Sequence, residues 1–171
     1  LKIANFICRV YLTVIRGTPV VVQLLIIYYG IFASVTINKM IVAVIAFGVN
    51  SGAYVAEIVR SGIMSIDKGQ FEAGRSLGFS YAQTMVYIIL PQAFKNVLPA
   101  LGNEFIVLLK ETSISGYIAM EDLTKGGDII RSRTFDAMMP LLAVAAIYLI
   151  MVILLEFLVG KLERRLRNSD H

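Results

Sequence analysis

Apolar residues in this chain gather into long runs separated by short polar breaks, and those breaks set the boundaries of the predicted elements. Val20 to Ile37 carries no charge and has the length needed to cross roughly 30 Å of hydrocarbon, which predicts a first complete membrane crossing. Leu1 to Arg16 spaces Lys2, Arg9 and Arg16 through apolar sequence, and reads as the end of a preceding helix or as an interfacial amphipathic helix. Gly17 and Pro19 mark a break between the two, proline being acceptable in a helix's first turn. After a very short turn at Asn38-Lys39, Met40 to Val59 predicts a second crossing with two unlike faces. Gly48, Gly52 and Ala56 recur every fourth residue as a stripe that lets another helix approach closely, with packing inside the chain expected ahead of a dimer seam. Asn50, Tyr54, Glu57 and Ser61 fall on the opposite, polar face.

The middle of the chain has a different character. Gln70 to Leu77 predicts a short helix with a charged face, and Gly78 its stop, because glycine accepts the left-handed turn that ends a helix. Ser80 is the expected N-cap of a second short helix, Tyr81 to Leu90, bounded by Pro91. A helix, a turn and a helix along the membrane surface would suit docking to a soluble partner. Gln92 to Lys110 predicts a further crossing softened by Pro99 and Gly102, with Asn96, Asn103 and Lys110 on one face. Glu111-Thr112-Ser113 is expected in a broken helical section near the membrane centre, lining a cavity or buried in protein. Ser115 to Asp136 is polar and predicted outside, with one short helix around Ile118 to Lys125. Met138 to Val159 is the last predicted crossing, ended by Gly160 and the basic tail from Lys161 to Arg167. No internal repeat, low-complexity tract or second domain is visible.

Composition agrees with this pattern. Of 171 residues 57% are hydrophobic and 16% charged, against about a quarter charged in soluble proteins, and the mean hydropathy is +0.75. The chain is expected to be all-α and embedded in a bilayer. If the polar middle loop is cytoplasmic, Lys2, Arg9, Arg16, Arg60, Lys68, Arg75, Lys95, Lys161, Arg164, Arg165 and Arg167 lie inside. Those are eleven of the 16 basic residues, in accord with the positive-inside rule. The net charge of +4 therefore calls for no nucleic acid. Cys8 is the only cysteine and His171, the last residue, the only histidine, which argues against an internal disulfide, a metal cluster or a histidine-dependent triad. No Gly-rich phosphate loop is present.

Glu72-Ala73-Gly74, Gly78, and then Ile88-Ile89-Leu90-Pro91 resemble the EAA motif of ABC importer permeases, with Gly74 standing where the third motif residue is usually alanine. Four further blocks, in order, resemble the polar amino acid subfamily: Arg16-Gly17-Thr18-Pro19, Asn50 to Glu57, Leu98 to Phe105, and Leu109-Lys110-Glu111-Thr112-Ser113. The resemblance implies a polytopic helical bundle of about four or five membrane helices in the bacterial cytoplasmic (inner) membrane, with residues 1–171 as a single transmembrane domain and a cytoplasmic coupling loop at about 62–91. It also implies a membrane helix upstream of the Arg16 block; this sequence does not contain it, and begins without methionine or signal peptide, so a truncated N-terminus is expected.

A permease of this type would carry no cofactor and catalyse nothing itself. ATP and magnesium would sit on two partner ATPases, coupled through Glu72, Ala73, Gly74, Gly78, Ile88, Leu90 and Pro91. A second permease subunit, identical or paralogous, and an extracytoplasmic amino acid binding protein would complete the assembly. A polar or charged amino acid needs a pathway with charges of both signs and neutral hydrogen-bonding groups. Asn50, Ser51, Tyr54, Glu57, Lys110, Thr112 and Ser113 supply that set. Plainer roles compete: Asn50 and Ser51 as interhelical hydrogen bonders, Glu57 neutralised by Arg60 or paired with Lys110, Glu104 and Lys110 as a structural pair, and Glu72 as a solvated surface charge. A secondary transporter or a membrane scaffold without ATPase coupling is the alternative class. The first would show an ion-coupling acidic pair or a repeated pore motif, and the second would have no reason to align Asn50, Tyr54 and Glu57.

Overall fold

A computed structural model describes residues 2–167, leaving out the side chain of Arg167; Leu1 and residues 168–171, His171 among them, lie outside the described residues. The described chain is helical, without strands. Its elements are α1 (Lys2–Arg16), α2 (Val20–Ile26) running into a π turn (Ile27–Ile31), α3 (Lys39–Met64), α4 (Lys68–Ser76) and α5 (Tyr81–Thr84). A second π turn (Met85–Ile89) joins α5 to α6 (Leu90–Glu111), followed by a 3-10 segment (Thr112–Ile118), α7 (Leu123–Thr134) and α8 (Met138–Arg167).

Among the described residues two helices are long and apolar enough to cross a membrane, α3 and α8; α1 with α2 and its π turn forms a third candidate only as a pair bent by 108°. The expected crossing at Val20 to Ile37 is thus corrected: helix stops at Ile31, and 12 residues rise only about 18 Å. The bend falls at Gly17-Thr18-Pro19, with Pro19 extended at ψ 137° just before α2. α6 has 22 residues, enough length for a span, but carries Lys95, Glu104, Lys110 and Glu111.

Three other predicted boundaries move. Pro91 does not end a helix, since the chain stays helical from Tyr81 to Glu111. Proline has no N–H to give the preceding turn, and the π turn at Met85–Ile89 shifts the hydrogen-bond register immediately before it. Gly160 likewise lies inside α8; a helical glycine costs only about 1 kcal/mol relative to alanine. The short outer helix begins at Leu123 rather than near Ile118, because the Asp122 side chain caps it by accepting from the Lys125 N–H at 2.6 Å.

The described residues divide into two compact units, residues up to 54 with 106–155, and 55–105 with those from 156 onward. In the first, Leu24, Ala43, Ala46, Phe47 and Ile118 form the core, flanked by Val20, Leu25, Leu108 and Ile114. The 3-10 segment therefore packs against α2 and α3, and its Ile118 is fully buried. α1 buries nothing; its apolar stripe Ile3, Phe6, Ile7, Val10 and Val14 is exposed. Tyr11 ties α1 to α3 by donating to the Val49 carbonyl at 2.6 Å. Gly52 leaves the room for it, a Cβ there being 3.1 Å from the Tyr11 hydroxyl. The expected internal packing of the small-residue stripe is corrected at its other members: no described residue outside the helix's own backbone lies within 4 Å of a Cβ built at Gly48, and Ala56 is exposed. In the second unit α3 and α6 meet at Gly62, where a Cβ would lie 2.3 Å from Val97. One turn away, Asn96 donates to Ser65 at 2.9 Å.

Candidate functional site

The polar loop is built by two consecutive caps. Asp67 opens α4 by accepting from the Gly69 N–H at 2.7 Å. At the other end the Gly78 N–H donates to the Arg75 carbonyl (3.0 Å) and the Phe79 N–H to the Gly74 carbonyl (3.2 Å). This is the Schellman pattern, which needs a left-handed residue, and Gly78 supplies it at φ 84°. Two residues on, Ser80 and Gln83 form a reciprocal capping box at the start of α5, with the Ser80 N–H donating to Gln83 Oε1 at 2.9 Å. The two helices then close on each other. Gly74 is buried, and a Cβ there would meet Thr84 Cγ2 at 2.7 Å and Ile88 Cδ1 at 2.8 Å. Phe71 and Tyr81 add an edge-on ring pair with centroids 5.1 Å apart.

Of the residues singled out from the motif, Gly74, Gly78 and Ile88 shape this hairpin of helices, while Glu72, Ala73, Leu90 and Pro91 are exposed. No ion pair engages Glu72 among the described residues. Leu77 is 76% exposed and Tyr81 63%, so apolar groups as well as a carboxylate are presented outward. Beside them Ile63, Met64, Ile66, Phe71, Met85 and Ile89 line most of a recess of about 370 Å³.

The second set of candidates is divided between the two units. Asn50, Ser51, Tyr54, Lys110, Thr112 and Ser113 belong to the first unit and Glu57 to the second. Asn50 is 2% exposed and donates its Nδ2 to Gln23 Oε1 at 2.9 Å. Gln23 in turn donates Nε2 to the carbonyls of Ile15 (2.7 Å) and Thr18 (3.0 Å) and to Thr18 Oγ1 (2.8 Å). The two carbonyls can only accept, so they fix which end of the Gln23 amide is nitrogen, and so fix Asn50 as well. The buried Asn50 Oδ1 has no partner among the described residues. Arg16 stacks over the Tyr54 ring, 5.6 Å from its centroid. Glu57 pairs with Arg60 one turn along α3, Nε donating to Oε2 at 3.0 Å, which matches the neutralised reading. Thr112 turns its hydroxyl back to the Leu109 carbonyl at 2.7 Å.

Sequence reasoning missed Gln23 and the polar group around Ser113. Gln23 was signalled by being the lone polar residue in Val20–Ile26. Ser113 lines an open groove of about 390 Å³ with Tyr117, Asp122, Lys125, Asp128 and Arg131. Asp122 is consumed within the fold: Oδ2 accepts from Ser115 Oγ (2.8 Å) and the Gly116 N–H (3.0 Å), and Oδ1 from the Lys125 N–H. Asp128 sits between two cations, Arg131 on Oδ1 and Lys125 on Oδ2. The hydrogen bonds from Arg131 and then Lys125 hold its carboxyl below the ordinary aspartate range.

Known proteins share this chain's sequence and fold. Residues 2–168 match the family described as binding-protein-dependent transport system inner membrane component. The glutamine transport system permease protein GlnP of Escherichia coli (strain K12) is 43% identical over 168 residues, 96% of this chain and 77% of that protein. The arginine transport system permease protein ArtQ of Bacillus subtilis (strain 168) is 41% identical over 176 residues, 99% of this chain and 80% of that protein. A crystal structure of an amino acid ABC transporter with histidines superposes with a TM-score of 0.92 at 48% identity, covering 96% of this chain and 78% of that one. The MetNI methionine transporter in inward-facing form shares the fold alone, at TM-score 0.78 and 20% identity.

Proposed function

The chain belongs to the family of inner membrane components of binding-protein-dependent transport systems, and from that premise we propose that it is the permease subunit that carries a polar amino acid inward across the bacterial cytoplasmic membrane, driven by separate ATPase subunits. The observation that carries the coupling is the doubly capped hairpin of α4 and α5, which holds Glu72, Leu77 and Tyr81 outward on a support closed by Gly74 and turned by Gly78. A lever must be stiff to pass on force, and two caps joined by a buried contact make one.

In the proposed cycle, ATP binding closes a pair of cytoplasmic ATPases, and the loop passes their movement to two permease subunits, which rock from inward-facing to outward-facing. An extracytoplasmic binding protein delivers the amino acid, and hydrolysis resets the pair. The chain supplies no phosphate-binding or catalytic group; its work is to hold the loop and to offer a polar path. Four or five membrane helices per subunit, counting segments beyond α3 and α8, belong to the same reading. For the path, the buried Asn50 with its unpartnered oxygen and the Arg16–Tyr54 stack are the features that support it.

The experiment is uptake of radiolabelled arginine, histidine, glutamine and glutamate into proteoliposomes containing the full-length permease, its ATPase and its binding protein. Uptake of at least one amino acid that requires ATP and the binding protein is expected. Uptake that persists without ATP would instead favour a secondary transporter.

A further inference from the structure

We propose that the groove formed by the 3-10 segment, α7 and the start of α8 is a carboxylate-binding site on the extracytoplasmic side, with Lys125 and Arg131 as its ligands. The side assignment rests on the importer reading given above; the chemistry rests on the groove itself.

An account of its donors and acceptors carries the argument. The groove offers two cations, two carboxylates and the hydroxyls of Ser113, Tyr117 and Thr124. Asp122 spends both oxygens on Ser115, Gly116 and the Lys125 N–H, stitching the 3-10 segment to the first turn of α7. Its charge is answered there by backbone and hydroxyl donors. Asp128 alone is shared between Lys125 and Arg131, one carboxylate for two cations. An ammonium provides three N–H donors and a guanidinium five, so unspent donors remain on both after Asp128 is served. The three hydroxyls add donors, while no acidic group in the groove is unclaimed. With two cations against two carboxylates the lining is neutral overall, and its unspent N–H and O–H donors can take up an anion through charge-assisted, multidentate hydrogen bonds.

The groove's volume of about 390 Å³ and its walls of Tyr117 and Leu141 suit a carboxylate attached to a small organic body. Two sources present that group: the α-carboxylate of a free amino acid, and an acidic side chain on a docked extracytoplasmic protein. Both meet the same pair of cations.

The test uses full-length permease with its ATPase in nanodiscs, after the wild-type assembly has shown ATP-dependent uptake in proteoliposomes. Failure at that earlier stage would remove the importer reading and not the groove. Binding of arginine and of glutamine is measured against their decarboxylated amines, and docking of the binding protein is measured separately by biolayer interferometry. Lys125→Gln and Arg131→Gln are expected to weaken carboxylate binding about tenfold each, as loss of a charge-assisted bond does. Asp128→Asn, which frees both cations from their internal partner, is expected to tighten it severalfold, a gain that misfolding cannot produce. Effects on the amino acids but not on the amines identify the free α-carboxylate. Effects on docking alone identify the partner's acidic side chain. If none of the three variants changes either measurement, or if amines and amino acids change alike, the site is not a carboxylate site.

Discussion

Gly78 is the residue on which the loop turns. Its φ of 84° lies where a side chain costs roughly 1 to 2 kcal/mol, and the two cap hydrogen bonds from Gly78 and Phe79 depend on it. Gly78→Asp, which also adds a charge beside Leu77 and Phe79, should reach the membrane in normal amount yet lose uptake, as immunoblot and transport assay on the same vesicles would show. Asp128 gives a pH prediction with a definite sign. Its folded carboxyl is more acidic than the free group, so its contribution to stability is present above the unfolded value, about 3.9, and is lost as pH falls through the lower folded value. Acid melting curves of wild type and Asp128→Asn should converge below about pH 4, with a small gap above it that shrinks in salt. A gap that widens on acidification would reverse the assignment.

Elements meet here through small residues and buried amides. α4 closes on α5 and its π turn at Gly74, so Gly74→Ala must push back Thr84 and Ile88; overpacking of this kind costs about 1 to 3 kcal/mol. Thr84→Ser, which deletes the nearer methyl, should recover part of that loss, and limited proteolysis of the loop would report both. The elbow between α1 and α2 depends on Gln23, which answers two carbonyls and the Thr18 hydroxyl. Gln23→Leu strands those acceptors at about 1 to 3 kcal/mol, whereas Asn50→Leu removes one orphaned oxygen while creating another at Gln23. Detergent melts should therefore fall further for Gln23→Leu.

Local chemistry was legible where it was self-contained. Ser80 as a cap, Gly78 as a stop and α3 and α8 as spans follow from residue type and spacing. Pro91 misleads because a π turn upstream absorbs its missing hydrogen bond, an effect no periodicity reports. The loop motif singled out Glu72, Gly74 and Gly78 together, but why Gly74 has no side chain depends on Thr84 and Ile88, ten and more residues away. The groove around Lys125 and Arg131 was hidden in part for the same reason: the Ser115 and Gly116 bonds that occupy Asp122 exist only once the 3-10 segment folds against α7, whereas the pairs of Asp128 with Lys125 and Arg131 are i,i+3 neighbours that spacing alone could have shown.

At the scale of the whole chain, much apolar surface faces outward. The most apolar 18-residue stretch of α8 is not buried by any of the described residues, and the face of α3 around Gly48 and Ala56 is open among them. A lone soluble domain rarely shows this much apolar surface; a subunit embedded in lipid accounts for it, and the second permease proposed above would cover part of it. Family membership and the described helices together make the chain a transport subunit, and the mechanical part we propose for it is the loop. The most direct measurement is therefore the number of ATP molecules hydrolysed per amino acid transported, in proteoliposomes holding the full assembly, for wild type and Gly78→Asp. The lever account predicts that the mutant assembly loses transport while its ATPase subunits still hydrolyse ATP, so that this ratio rises steeply. Transport by the mutant at the wild-type ratio would contradict it.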